Sequence, residues 1–334
     1  MAKKTSKTRK KVQAPKPKAV KKVQAKKKAP VDEKSVEKKE YIHESVLLEE
    51  VCELLELSKK KNVVDATLGM GGHAKEMLKA LPKSGKLIGL DADPEHLKVA
   101  KKNLRSYKDR TILVHSNFGD MAEAIQENSR IKSIDAVLFD LGIASPHVDF
   151  GERGFSFMRE GDLDMRFNPE QQLTAAEVVN KYGEKRLAEI FRDFGEEKRA
   201  KKIAQALCKN RKRKPFKTTK DLADFIEKLL GRGGKIHPAT RVFQALRIEV
   251  NKELDVLVEG LRQAVELLKK NGRVAVISYH SLEDRIVKNF FRDLARNNGQ
   301  SLKLITKKPI APSEEEIQRN PRSRSAKLRV AEKL

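Results

Sequence analysis

Val63-Val64-Asp65-Ala66-Thr67-Leu68-Gly69-Met70-Gly71-Gly72-His73 is the stretch that decides the fold class. An apolar run ending in an acid gives way to a glycine-rich turn, and the turn to a helix-forming segment, Ala74 to Leu81. Strand, tight turn and helix N-terminus in that order let backbone N–H groups approach a nucleotide-like ligand closely. Twenty residues after Gly71, a second apolar run, Leu87-Ile88-Gly89-Leu90, ends in Asp91. An acid that closes the second strand of such a fold accepts hydrogen bonds from ribose hydroxyls. Each half alone is weak evidence; together, at this spacing, they point to a nucleoside-cofactor site.

The turn itself narrows the cofactor. A dehydrogenase fingerprint is G-x-G-x-x-G, whose third glycine lets the helix pack on the strand. This chain reads D-x-T-x-G-x-G-G-H, with Asp65 two residues before Thr67. An acid at the end of the first strand suits a cofactor that carries an amino-acid moiety and no pyrophosphate. That favours S-adenosylmethionine (SAM) over NAD, and an NAD-dependent oxidoreductase is kept as the alternative.

Outward from this motif, strands and helices alternate. Glu44 to Leu57 reads as an amphipathic helix, with Leu47, Val51, Leu54 and Leu55 at helical spacing. Then follow Asn62–Thr67, Ala74–Leu81, Lys86–Leu90, Glu95–Leu104, Thr111–His115, Met121–Asn128 and Ile134–Asp140. From about Phe150 to Ile248 only helical stretches are found, at Thr174–Lys181, Lys185–Phe191, Glu196–Lys209, Thr219–Leu230 and Ala239–Ile248. The alternation resumes with a helix at Lys252–Lys269, a buried strand at Gly272–Ser278 and a helix at Leu282–Ala295, and two strand-like segments, Ser301–Thr306 and Lys327–Glu332, close the chain. The expectation is an α/β fold, Rossmann-like with a mostly parallel sheet, built from residues 41–149 and 249–334 and interrupted by an inserted helical domain at 150–248.

Charge points to a polyanionic partner. The 334 residues carry 72 Lys+Arg against 47 Asp+Glu, a formal net charge of +25. Residues 1–40 hold 16 of the basic and four of the acidic side chains with no aromatic residue, so this tail is expected to be disordered and to tether RNA without specificity, or to have no dedicated task. The remaining body is still basic, and nucleic acid is the commonest partner of such a surface. Within the segment Lys198–Lys220 there are 11 Lys/Arg and no acid. A solvated helix face normally mixes signs, so one-sided charge of this length, with Pro215 and Phe216 in its second half, reads as a phosphate-contacting surface. Its candidate contacts are Lys198, Arg199, Arg211, Lys212, Arg213 and Lys214. Cys52 and Cys208 have no metal-ligand spacing and read as reduced thiols of a cytosolic protein, and no metal site is expected. No apolar run is long enough to span a membrane, and the Lys/Ala/Pro-rich start lacks the apolar region of a secretory signal.

Strand ends supply the remaining candidates. The third strand runs into His115-Ser116-Asn117-Phe118, and Phe118 either covers an adenine ring or belongs to the core. The fourth ends in Asp140-Leu141-Gly142-Ile143-Ala144-Ser145-Pro146-His147, placing a carboxylate at the ligand crevice of a parallel sheet. Pro146 pins an extended backbone whose carbonyls can face a substrate amine. The fifth ends in Ser278-Tyr279-His280-Ser281-Leu282-Glu283-Asp284-Arg285. Ser281, Glu283 and Asp284 read as an N-cap with first-turn acids, which leaves Tyr279 and His280 to hold a base.

Several of these segments, with others, resemble the bacterial small-subunit rRNA cytosine-N4 methyltransferase family (RsmH, formerly MraW). The shared stretches are Tyr41–Leu48, the Gly69–His73 turn, Asp91–Pro94, Asp140–Pro146, Arg153–Arg159, Leu163–Arg166, His237–Arg241, His280–Arg285, Asn320–Arg322 and Arg324-Ser325, in order from about residue 41 to the C-terminus. The resemblance implies a class I SAM-dependent methyltransferase that modifies the exocyclic N4 of a cytidine in the decoding region of 16S rRNA, within the assembled small subunit. It implies SAM contacts at Gly71, Gly72, His73, Asp91, Phe118, Asp140 and His147. Ala144 stands where a serine is frequent in the family and His147 where a glutamine is. Asp140, Tyr279 and His280 are the catalytic candidates, with the Ala144–Pro146 carbonyls as further acceptors for the amine. C5 methylation needs a cysteine nucleophile, and neither Cys52 nor Cys208 ends a strand at the crevice. A cytoplasmic monomer or homodimer is expected. The rival readings are a DNA amino-methyltransferase, the oxidoreductase, and a catalytically silent RNA-binding assembly factor.

Overall fold

Apolar runs too short for helices and too continuous for exposed strands must be covered on both faces, and here they are. The strands are β1 (Asn62–Asp65), β2 (Lys86–Asp91), β3 (Thr111–His115), β4 (Ile134–Asp140), β5 (Leu268–Ser278), β6 (Leu302–Leu304) and β7 (Lys327–Lys333), in one sheet of order β3-β2-β1-β4-β5-β7-β6. β3 through β5 run parallel, while β7 pairs antiparallel with both β5 and β6. The sheet is therefore mostly parallel, as the alternation of strands and helices predicts. This is a computed structural model, and it describes residues 45–143, 153–234, 236–296 and 301–334. The basic tail 1–40, the Tyr41–Glu44 part of the first family motif and the segment Ala144–His147 lie outside the described residues.

Period-two alternation sorts the strand side chains. Val64, Ile88, Val137, Phe139, Val274 and Val276 face one layer, with Met121 and Ile125 of α4 (Met121–Asn128) and Leu257 and Leu261 of the helix Glu253–Leu267. Val63, Leu87, Ala136, Leu138, Ala275 and Ile277 face the other, against α1 (Leu48–Leu54), α2 (Gly72–Ala80) and α3 (Pro94–Asn103). Burial on both faces is what makes these strands read as unbroken hydrophobic runs.

Between β4 and β5 the chain forms α5 (Ala175–Lys181), α6 (Glu184–Asp193), α7 (Ala200–Arg211), α8 (Thr219–Leu230), α9 (Thr240–Asn251) and α10 (Glu253–Leu267). The first five share a separate apolar cluster that includes Val178, Leu187, Phe191, Ile203, Leu222, Ile226, Val242 and Leu246. Thr174 opens α5 with a capping box closed by Glu177. Residues 43–334 hold together as one unit, so this helical layer is packed on the sheet domain.

Four local expectations change. The first helix is shorter, because Leu47 takes a left-handed conformation at φ 53° and Leu57 starts a separate 3-10 turn. The helix expected at Lys252–Lys269 ends at Leu267, and β5 starts at once with Leu268 paired to Ile134. The polar Lys269-Lys270-Asn271 hides this edge extension, which is irregular at Asn271 (φ 61°). Ser281 lies inside α11 (Ser281–Arg296), and its hydroxyl donates to Glu196 Oε2 at 2.6 Å. The cap is His280, whose Nδ1 accepts from Glu283 N at 3.4 Å. Finally, α12 (Glu314–Arg319) was not anticipated; Ser313 caps it and three glutamates fill its first turn.

Candidate active site

Because β2 and β3 lie on one side of β1 and β4 and β5 on the other, the carboxyl ends of β1 and β4 part at a topological switch point, where open α/β sheets bind ligands. A cavity of about 540 Å³ lies there, within the usual range for small-molecule sites. Gly69, Gly72, Asp91, Phe118, Asp140 and Tyr279 are among the residues that line it.

The glycine turn forms the floor. Gly71 caps α2 at φ 83°, a conformation L side chains rarely adopt, and a Cβ there would meet Leu104 at 3.3 Å. It shapes the turn and is not itself among the lining residues; Gly69 is, and sequence reasoning did not single it out. Gly69 N donates to Asp91 Oδ2 at 2.7 Å, and Asp93 N donates to Asp91 Oδ1 at 2.8 Å. Two backbone donors thus fix the Asp91 carboxylate while Oδ2 keeps lone-pair capacity for a ribose hydroxyl. Phe118 both lines the cavity and packs edge-on against Phe139, with ring centroids 5.4 Å apart. Phe118 thus belongs partly to the core and keeps an edge on the cavity. Gly260 makes room for that ring, since a Cβ there would stand 2.7 Å from Phe118 Cδ2.

Behind Asp91, His96 is buried with Nδ1 3.4 Å from Asp91 Oδ1 and Nε2 4.0 Å from Asp93 Oδ2. Burial opposes its charge, but the Asp91 and Asp93 carboxylates prevail and raise its pKa. Arg153 donates to Asp93 Oδ2 at 3.0 Å and to the carbonyls of Arg166 and Phe167 at 2.7 and 2.9 Å. This ties the cofactor-side acids to an aromatic wall: Phe155 stacks on Phe167 at 5.4 Å, and Phe157 meets Phe243 at 5.0 Å. All four rings line the cavity.

At the other side Asp140 ends β4. Its backbone N donates to Thr67 Oγ1 at 2.6 Å, joining the ends of β1 and β4. Tyr279 donates its hydroxyl to Asp140 Oδ1 at 2.8 Å. Burial, then the Asp140 charge, hold the Tyr279 pKa well above its usual value, so it stays a phenol. His73 places Nδ1 3.4 Å from Asp140 Oδ2, while its Nε2 lies 2.9 Å from the Val46 carbonyl. A carbonyl only accepts, so Nε2 carries the hydrogen and Nδ1 is the atom turned to Asp140. Beneath them Asp65 is buried; its Oδ1 accepts from Thr67 N at 3.2 Å and its Oδ2 has no hydrogen-bond partner among the described residues. Burial pushes the Asp65 carboxyl up to about 7, against the pull of His73.

His280 is held by Glu283, with Nε2 3.1 Å from Oε1, and Glu283 Oε2 accepts from Tyr279 N and His280 N. Burial disfavours the Glu283 carboxylate, but His280, Arg247 and these backbone donors outweigh it and lower the pKa. Glu253, His280 and Glu283 bring ligand-type atoms within 4.8 Å of one another, though Arg247 occupies both oxygens of Glu253.

The structure thus brings Gly72, His73, Asp91, Phe118, Asp140, Tyr279 and His280 to one cavity, with Gly71 supporting it; His147 lies outside the described residues. Sequence reasoning missed the aromatic wall, the α9 face (Thr240, Phe243, Gln244, Arg247) and the Arg153 clamp, although Thr240 and Arg153 fall inside family-like motifs. The six basic candidates divide. Five are exposed and Arg211 is half-buried; Arg211 donates to the Val179 carbonyl at 2.6 Å, Lys214 pairs with Asp221 at 2.7 Å and Arg199 with Glu197 at 3.5 Å. Phe216 is core, edge-on to Phe225, and not part of an exposed surface. Cys52 and Cys208 are free and half-buried.

Comparison with known proteins places the chain. Residues 40–334 match the model of the MraW methylase family. The chain belongs to that family. Ribosomal RNA small subunit methyltransferase H of Sulfurihydrogenibium sp. (strain YO3AOP1) is 50% identical over 295 residues, 87% of this chain and 99% of that protein. The proteins of the same name from Halothermothrix orenii and Clostridioides difficile are 45% and 44% identical over 311 residues each, covering 87% and 88% of this chain and 98% and 100% of theirs. As a family member the chain is a SAM-dependent methyltransferase. The cavity fits a nucleoside cofactor: the Asp91 carboxylate and the Gly69 turn line it, while Asp65, buried behind Ala66 and Thr67, does not. Among the described residues, no helix is long and apolar enough to cross a membrane.

Proposed function

We propose that this chain methylates the exocyclic N4 of a cytidine in the decoding region of 16S rRNA, within the small ribosomal subunit in the cytoplasm. The carrying observation is the Asp140 carboxylate, held between Tyr279 and His73 at the mouth of the switch-point crevice. Gly69, Gly72, Asp91 and Phe118 hold the nucleoside half of SAM, and SAM supplies an electrophilic methyl group when bound.

Cytosine N4 is a poor nucleophile because its lone pair is delocalised into the ring. An acceptor aimed at its N–H bonds localises that pair and takes up developing positive charge. Asp140 is such an acceptor, fixed in direction by the Tyr279 hydroxyl on Oδ1. The proton released from N4 passes to Asp140, and His73 Nδ1 beside Oδ2 gives it a second resting place. The aromatic wall excludes water and offers faces for a base extruded from its stack.

The basic segment running from the turn before α7 to the loop before α8 supports an RNA strand, with Lys198, Lys212 and Arg213 as its freest contacts and Arg199, Arg211 and Lys214 partly committed to the protein. The helical layer 150–248 is then the substrate-recognition domain. The names of the relatives support small-subunit rRNA as the polymer. The test is incubation with labelled SAM and small subunits, free 16S rRNA or DNA, followed by nucleoside mass spectrometry. The label is expected as N4-methylcytidine from small subunits; label on DNA or on C5 would overturn the proposal.

A further inference from the structure

One face of α9 has a task that the chemistry above does not use. Thr240, Phe243, Gln244 and Arg247, at i, i+3, i+4 and i+7, all line the cavity. Arg247 is largely buried, and its Nε and Nη2 donate to the two carboxylate oxygens of Glu253 at 2.8 and 2.9 Å. Its Nη1 makes no hydrogen bond among the described residues and is not sealed off from open space. The guanidinium is therefore anchored on one edge and open on the other. Gln244 is fixed in the same way: Nε2 donates to the Phe194 carbonyl at 3.0 Å, which settles the amide orientation and leaves Oε1 as an acceptor.

Position in the sheet says which ligand these groups meet. Asp91 ends β2 and Phe118 follows β3, on one side of β1; Tyr279 and His280 follow β5, on the other. Arg247 pairs with Glu253, and a Glu253 carboxylate oxygen lies within 4.8 Å of His280 and Glu283. It therefore belongs to the β5 side, away from the ribose acid.

We propose that Gln244 and Arg247 read the Watson–Crick edge of the acceptor base. This rests on the reading of the reaction given above. Cytosine offers an N4 amine donor beside ring-N3 and O2 acceptors. Arg247 Nη1, donor only, takes an acceptor; Gln244 Oε1 takes one N4–H while Asp140 takes the other. Uracil presents a carbonyl and an N3–H instead, so both contacts turn against it. Phe243, one turn away on the same helix, supplies a stacking face.

The experiment uses the full chain, SAM and small subunits lacking the modification. Arg247→Met is expected to reduce kcat/KM for subunits roughly 10- to 100-fold, the loss of one hydrogen bond from a charged donor, with SAM affinity by calorimetry unchanged within about threefold. Arg247→Met leaves Glu253 buried and unpaired, so Arg247→Met with Glu253→Met serves as the folding control. The double variant is expected to recover thermal stability and not activity. Arg247→Lys keeps the charge but loses the two-point anchor, and activity is expected to stay below about a tenth of wild type. Activity near wild type in the double variant, or an equal loss of SAM affinity in either variant, overturns the inference. A wild-type protein that makes no N4-methylcytidine overturns the reading of the reaction instead, and this inference with it.

Discussion

Asp65 offers the most quantitative test of the site. It is a fully buried carboxyl whose Oδ2 has no partner among the described residues, and burial raises its pKa from 3.8 to about 7. The unfolded chain releases this proton near pH 4, whereas the folded protein keeps it until about pH 7. Folding stability attributable to Asp65 therefore falls as pH rises between those values and is flat above them. At 1.36 kcal/mol per unit, the raised pKa corresponds to about 4 kcal/mol at pH well above 7. Roughly 2–3 kcal/mol of that develops between pH 5 and pH 8.5. Asp65→Asn has no such proton to lose. Urea unfolding of both proteins across this range, without SAM, should show wild type losing that amount relative to the variant. A bound donor that carries positive charge then favours the ionised carboxylate, so SAM affinity of wild type should rise from pH 6 to pH 8 and that of Asp65→Asn should not. Parallel stability profiles for the two proteins would refute the reasoning about this carboxyl.

Three further outcomes follow from the geometry. Asp91→Ala removes an acceptor fixed by two backbone donors and should weaken SAM binding by roughly 10- to 100-fold in calorimetry, without changing RNA affinity. Lys212→Glu with Arg213→Glu should raise the subunit concentration needed for half-maximal turnover and flatten its salt dependence, while Arg211→Glu should also lower the melting temperature because Arg211 satisfies the Val179 carbonyl. The Cys52 thiol, pushed up to about 11 chiefly by burial with Glu76 adding to it, should resist Ellman's reagent at pH 8 in a Cys208→Ser protein.

Much of the architecture was legible because strands and helices carry different periods. The β1 and β2 runs and their terminal acids, Asp65 and Asp91, gave the switch-point crevice. The short helices after β4 gave the helical layer. Legibility failed where a local pattern was overruled by a distant partner. Lys269 and Lys270 look like the end of an amphipathic helix, yet pairing with β4 draws that segment into the sheet. Ser281 has the residue type and place of an N-cap, but Glu196 from the helical layer takes its hydroxyl. Arg211 and Lys214 are indistinguishable in sequence from Lys212 and Arg213, because the Val179 carbonyl and the Asp221 carboxylate reach them only after folding. The α9 face was hidden for the same reason: its polar residues sit on a helix whose neighbours are core, and only the cavity shows which side they serve.

The most direct test of the central claim is single-turnover methyl transfer by an Asp140→Asn protein preloaded with labelled SAM and mixed with unmodified small subunits. The account predicts that the variant binds SAM with wild-type stoichiometry and transfers essentially no label during the time wild type completes a turnover. Transfer at a rate close to wild type would contradict it.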